Sequence, residues 1–196
     1  MDQRLYEASQ SGNIHLLHQL LVENPLLLHS LALDSTNNDP IHVASLAGHV
    51  GFVKELISLK PALAKEMNQD GFSPMHIASA NGYLEIVGEL LKVDQRLCRL
   101  KGRDQWTPLH HAARSGRVEI VKEIVLACPE SVEDVTVQGE TALHLAVKNC
   151  QFGAVEVLVE LVTETSKVKI LNLKDKHGNT VLHLATWRKQ HQVCTI

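Results

Sequence analysis

Imidazoles and thiols are the groups in this chain that could do chemistry. Among 12 histidines, His42, His76, His110, His144 and His183 each stand two residues before an alanine in one recurring motif. Imidazole is both a common metal ligand and a general base suited to neutral pH. Spacing excludes a shared metal. If the motif copies stack side by side, equivalent rings lie about one helix diameter apart, roughly 10 Å, whereas two ligands on one zinc are no more than roughly 4 Å apart. At the third position of a helix, each ring is expected instead to bond back to its capping residue or to finger backbone, as in a capping box. His15 and His18 are three apart and can share a helix face, which would permit a weak transition-metal contact, but a solvated face is the simpler account. His110 and His111 point about 100° apart on a helix and do not converge, so His111 reads as a drifted residue of its motif copy. The cysteines, Cys98, Cys128, Cys150 and Cys194, lack the C-x-x-C spacing of a zinc or redox site. No base and oxyanion-donor set accompanies any of them. The expectation is a non-enzyme with no catalytic residues, no metal and no cofactor.

The segments that carry these histidines repeat. Asp39-Pro40-Ile41-His42-Val43-Ala44 recurs as Ser73-Pro74-Met75-His76-Ile77-Ala78, Thr107-Pro108-Leu109-His110-His111-Ala112 and Thr141-Ala142-Leu143-His144-Leu145-Ala146, in steps of 34 residues. Thr180-Val181-Leu182-His183-Leu184-Ala185 follows after 39 more, and a divergent first copy puts Tyr6, Ala8 and Gly12 where His42, Ala44 and Gly48 stand. Each copy opens on an N-cap residue type, and in three a proline follows where its missing N–H costs nothing. Gly48, Gly82 and Gly116 suit a left-handed turn, and beyond them patterns such as Leu84, Ile86, Val87, Leu90 and Leu91 have helical spacing. Cys150 takes the glycine's place, so either that turn changes shape or Asn149 absorbs the geometry. Between units, Asn37-Asn38, Asp70-Gly71, Gln138-Gly139 and His177-Gly178 read as the tips of β-hairpin-like fingers. The expected fold class is an all-α repeat, a solenoid of helix-turn-helix units with fingers. It forms one domain over 1–196, in repeats of approximately 1–34, 35–67, 68–101, 102–135, 136–174 and an incomplete 175–196.

A T-P-L-H-x-A motif at this period resembles the ankyrin repeat, and the resemblance covers nearly the whole chain. It implies that protein partners dock on a concave side made of finger tips and the exposed faces of the first helices. The inter-helix segments Asn24-Pro25-Leu26-Leu27, Lys60-Pro61-Ala62-Leu63 and Cys128-Pro129-Glu130-Ser131, with Asp94-Gln95-Arg96-Leu97 in the same slot, carry a narrower likeness. With the opening residues from Met1 to Ala8 and the closing Lys176 to Thr186, they resemble the N-terminal domain of plant ankyrin-transmembrane proteins of the accelerated-cell-death, PGG-domain type. That implies a cytosolic domain ahead of several membrane helices, in a protein of plant defence and innate immune signalling. The alternative is a stand-alone cytosolic scaffold or adaptor, for instance one serving a ligase or kinase.

Composition narrows the partners. The 44% apolar and 21% charged content is that of a folded chain. With 19 Lys and Arg against 22 Asp and Glu, no positive field gathers nucleic acid or acidic lipid. The longest apolar runs, such as Ile124 to Cys128, are far short of the roughly 20 residues of a membrane span. No signal peptide opens the chain. A cytoplasmic location with no direct membrane contact is therefore expected.

By the repeat register, concave positions lie two residues before the finger glycine, one after it, and two after the motif's small-residue pair. Repeat three supplies Gln69, Asp70, Phe72, Ala80 and Asn81; repeat four supplies Arg103, Asp104, Trp106, Arg114 and Ser115; repeat five supplies Val137, Gln138, Glu140, Lys148 and Asn149. Repeats two and six add Ser35, Thr36, Asn38, Leu46 and Ala47, and Lys176, His177, Asn179, Trp187 and Arg188. The partner-binding set is read as Phe72, Trp106, Arg103, Asp104, Arg114, Asn81, Asp70, Gln69, Glu140 and Lys148. Its centre is Phe72 with Trp106, one repeat apart in a chain only 4% aromatic, because hot spots favour Trp and Arg. The simpler account has Trp106 fold over its own hairpin and stiffen it. At the ends, Asp2, Gln3, Arg4, Glu7 and Gln10 form a polar cap. Too little chain follows Trp187 for a full second helix, so Phe152, Val155 and Leu158 are expected to be partly uncovered and to seek a cover from membrane-proximal chain, from a second copy through self-association, or from crystal neighbours.

Overall fold

The computed structural model describes residues 2–30 and 39–187. Helices α1 (Gln3–Ser11) and α2 (Ile14–Glu23) are followed by the single turn α3 (Leu27–Ser30). The pairs α4 (Pro40–Ala47) and α5 (Val50–Leu59), α6 (Pro74–Asn81) and α7 (Leu84–Val93), and α8 (Pro108–Arg114) and α9 (Val118–Ala127) come next. The pair α10 (Ala142–Lys148) and α11 (Phe152–Glu164) precedes α12 (Val181–Trp187). The shorter inner helices α1, α4, α6, α8, α10 and α12 stack in chain order, and α2, α5, α7, α9 and α11 form the outer layer. An ankyrin solenoid is thus what the motif period builds.

One hydrophobic stripe runs the length of the stack. Leu5, Ile41, Met75, Leu109 and Leu143 fill it from equivalent positions of the inner helices, and the outer helices answer with sets such as Ile86, Val87 and Leu90 or Ile120, Val121 and Ile124. Ala8, Ala44, Ala78, Ala112 and Ala146 are fully buried, because neighbouring inner helices approach too closely there for a longer side chain. The polar outer positions of α1, including Asp2, Gln3, Arg4, Glu7 and Gln10, face solvent.

The turn glycines are required twice over. Gly12, Gly48, Gly82 and Gly116 cap the inner helices at φ 68°, 80°, 95° and 67°, where a Cβ is strained. In addition, the residue that opens each outer helix lies over the preceding repeat's glycine: His49 over Gly12, Tyr83 over Gly48, Arg117 over Gly82 and Gln151 over Gly116. Three of these side chains hydrogen-bond an exposed carbonyl at the end of the preceding inner helix, His49 Nε2 to Gln10 O at 2.8 Å, Tyr83 Oη to Leu46 O at 3.4 Å and Arg117 Nε to Ala80 O at 3.2 Å. These contacts meet carbonyls that the helix itself leaves unpaired.

The structure corrects two expectations. Cys150 itself adopts φ 56°, while Asn149 stays at φ −106°, so the turn keeps its shape and the cysteine carries the strain. At the end of the array Phe152 is exposed, but Val155 and Leu158 are each only 1% exposed, because the short turn Val168–Asn172 and α12 pack over α11 and α10. The fingers are tight hairpin-like turns, and no strand is assigned among the described residues. Ser35 to Asn38 and Arg188 to Ile196 lie outside the described residues.

Candidate functional site

The motif histidines tie each inner helix to the finger of the next repeat. His76 Nε2 donates to Trp106 O at 3.0 Å, His110 Nε2 to Glu140 O at 3.1 Å and His144 Nε2 to Asn179 O at 3.2 Å. A carbonyl can only accept, so Nε2 carries the proton and Nδ1 is the acceptor. That nitrogen takes the hydroxyl proton of the N-cap residue: Ser73 Oγ to His76 at 2.7 Å, Thr107 Oγ1 to His110 at 2.8 Å and Thr141 Oγ1 to His144 at 2.8 Å. The rings therefore bond to their caps, as expected, and also reach across to the following repeat. With both nitrogens committed, none of the three offers a lone pair to a metal or a base for catalysis. Burial pushes His76 and His110 down to about 4 and lowers His42 and His144. His42 differs because Asp39 supplies no capping bond, and its Nδ1 is buried without a partner.

These bonds hold the fingers in line. Asn68, Thr136 and Asp175 each fold their finger by accepting two backbone N–H bonds on a side-chain oxygen. Successive fingers join through Arg103 N to Gly71 O at 3.0 Å, Val137 N to Asp104 O at 2.9 Å and Lys176 N to Gln138 O at 2.9 Å. The finger at 102–106 is built differently. Gly102 stands where the folding side chain would be, since a Cβ there would lie 2.5 Å from Gly71 O. Gln105 replaces the tip glycine, leaving Asp104 and Gln105 at φ 55° and 61°. Two non-glycine residues in the left-handed region cost on the order of 1–2 kcal/mol each, and this strain sits beside Trp106.

Phe72 and Trp106 both stand on His111, with ring centroids at 5.2 and 5.0 Å. His76 packs edge-on against the same ring at 5.5 Å. His111 is therefore the floor that joins two neighbouring fingers. Its Nε2 is buried without a hydrogen-bond partner, and burial, with His76 and His110 next to it, pushes it down to about 3. The register carried a signal for this role, because the position holds Val43, Ile77 and Leu145 in the other copies, and an imidazole there adds an aromatic ring that Phe72 meets edge-on at 90° and Trp106 at a tilt of 54°. Trp106 is half-buried, and the Arg114 guanidinium lies 5.4 Å from its ring centroid, within cation–π range.

Around this centre Gln69, Asp70, Asn81, Arg103 and Asp104 are exposed, on the finger tips or at the end of α6. Glu140 and Lys148 are placed otherwise: Glu140 is buried and in contact with the Lys148 ammonium, which also lies 3.8 Å from the buried Asp175. This pair links the fifth and sixth fingers internally. The centre of the face is thus aromatic and cationic, and it is rigid because its floor belongs to a helix.

The family described as Ankyrin repeats (3 copies) matches residues 5–99, 41–134, 90–170 and 129–196, in overlapping sets. The chain is also 38% identical over 73 residues to Ankyrin repeat-containing protein BDA1 of Arabidopsis thaliana, a stretch that makes up 37% of this chain and 17% of that protein. No helix among the described residues is long and apolar enough to cross a membrane.

Proposed function

The chain belongs to the ankyrin-repeat family, and from that premise we propose that its finger-and-inner-helix face docks a protein partner through Phe72, Trp106, Arg103 and Arg114. The family is one of protein-protein interaction modules. The observation that carries the central assignment is the aromatic pair held on His111 with Arg114 above Trp106. Such an arrangement presents rigid rings and guanidinium donors at little cost in side-chain ordering. Gln69, Asp70, Asn81 and Asp104 form the polar rim of this surface. Glu140 and Lys148 hold its far side in shape.

At the level of the cell, the proposed role is that of the cytosolic domain of a plant defence-signalling protein associated with a membrane. Support comes from the proline-bearing inter-helix segments and from the likeness to a plant ankyrin protein. The test is affinity capture from plant extract with the intact chain beside a variant carrying Trp106→Ala and Arg114→Ala. Partners should be lost together from the variant, with affinity reduced at least tenfold, about 1.4 kcal/mol, and an unchanged thermal midpoint. Partners retained at full strength, or a collapse of stability, would mean that Trp106 serves only its own finger.

A further inference from the structure

Charge is matched differently on the two sides of the array. On the outer helices and the turns that follow them, cations meet carboxylates: Lys54 and Lys92 pair with Glu89 at 3.8 and 2.7 Å, Lys65 with Asp94 at 2.8 Å, Arg99 with Asp134 at 2.8 Å and Lys167 with Glu133 at 2.6 Å. On the finger side Lys148 is likewise held by Glu140 and Asp175. Arg103 and Arg114 are not matched in this way. Both are exposed, and neither makes an ion pair among the described residues. Arg103 opens the turn that closes at Trp106, whose N–H it accepts at 3.1 Å, and the Arg114 guanidinium lies over the Trp106 ring. The cation position on that ring is therefore filled from within the chain, so a lysine or arginine of a partner would meet like charge there. A guanidinium over an indole keeps N–H donors at its edge, in the fork geometry that matches a carboxylate.

We infer that the docking face takes an extended peptide segment of a partner that carries a carboxylate side chain next to an apolar one. The inference rests on the docking reading above and supplies the partner's chemistry. The carboxylate pairs with Arg114, while Arg103, on the Trp106 finger, adds positive potential; the apolar side chain packs on Phe72 and Trp106. These two rings share His111 as a floor at 5.2 and 5.0 Å, close enough for one extended segment, in which alternate side chains roughly 7 Å apart point the same way. Asp70 and Asp104 are exposed on the same two finger tips, and the chain carries a net charge of −3. Both features repel a polyanion such as a nucleic-acid backbone, so an isolated carboxylate fits where a row of phosphates does not. In this arrangement the rings supply buried area and the Arg114 pair fixes the orientation of the segment.

The experiment selects a randomised peptide library displayed on phage against the full chain. Enriched peptides are then measured by fluorescence anisotropy on the natural chain, on Trp106→Ala and on Arg114→Gln. They should carry Asp or Glu within two positions of an aromatic or aliphatic residue more often than the unselected library, and should lose binding to Trp106→Ala. Changing that Asp or Glu to its amide should weaken binding about tenfold or more on the natural chain, but less than about threefold on Arg114→Gln. Arg114 is exposed, so Arg114→Gln should keep the thermal midpoint of the natural chain. Peptides that need Trp106 but bind equally well as amides, that are enriched in Lys and Arg, or whose amide penalty persists in Arg114→Gln leave the docking face standing and overturn the carboxylate. Peptides indifferent to Trp106→Ala, or no enrichment above an uncoated surface, overturn the inference as well, while capture from plant extract judges the docking face by itself.

Discussion

Lowering the pH from 6.5 to 5 should loosen the middle of the array well before any carboxylate gives way. His76 and His110 titrate near 4 in the fold and His111 near 3, against an ordinary value of 6.5. The unfolded chain therefore binds more protons throughout this interval, and stability falls as pH falls. A ring shifted from about 6.5 to about 4 loses about 2 kcal/mol by pH 5, at a slope near 1.2 kcal/mol per pH unit. His111 loses a similar amount, and the three rings together lose on the order of 4–6 kcal/mol, comparable to the whole stability of many domains. The cause is structural: protonated Nδ1 could no longer accept from Ser73 or Thr107, and His111 has no acceptor within reach of a second proton. Asp94, Glu23 and Glu89, whose ion pairs hold them below the usual carboxylate range, begin to matter only below about pH 4.5. The assay is urea unfolding from pH 7.5 to 5, followed by tryptophan fluorescence. His111→Leu removes one of the buried rings with a lowered value, a set that also includes His42 and His144, and should reduce the slope between pH 6.5 and 5 by about 1 kcal/mol per pH unit. A flat profile across that interval, or an unchanged slope in the variant, would refute the account of the buried rings.

Two further predictions concern the helix ends. Gly48→Ala places a Cβ 2.8 Å from the Tyr83 ring at φ 80°. It should cost more than about 2 kcal/mol in the natural chain but only about 1–2 kcal/mol when Tyr83→Ala is also present, and a double-mutant cycle in urea with no coupling would remove the close-approach argument. Cys150→Gly relieves the φ of 56° and should stabilise by about 0.5–1 kcal/mol after the entropy of the added glycine, which a shift in urea midpoint at constant slope would register.

Most of the scaffold is legible in the order of the amino acids, because a solenoid contacts itself mainly between neighbours and each unit spells out its own cap, helix and turn. Asp39, Ser73, Thr107 and Thr141 mark helix starts, Gly48, Gly82 and Gly116 mark the ends, and the period sets the register of Phe72 and Trp106. Sequence also directs the motif histidines to their own caps or to finger backbone. It is silent on which atoms join one repeat to the next. That His76 ends on Trp106 O and that Tyr83 covers Gly48 are contacts between residues 30 and 35 positions apart. Their partners depend on how far each unit is rotated against its neighbour. The same rotation turns His111 from an apparent irregularity into the surface on which two fingers rest, and it closes Glu140 and Lys148 on each other. Local propensity determines the units, whereas close packing between units selects which side chains remain for a partner.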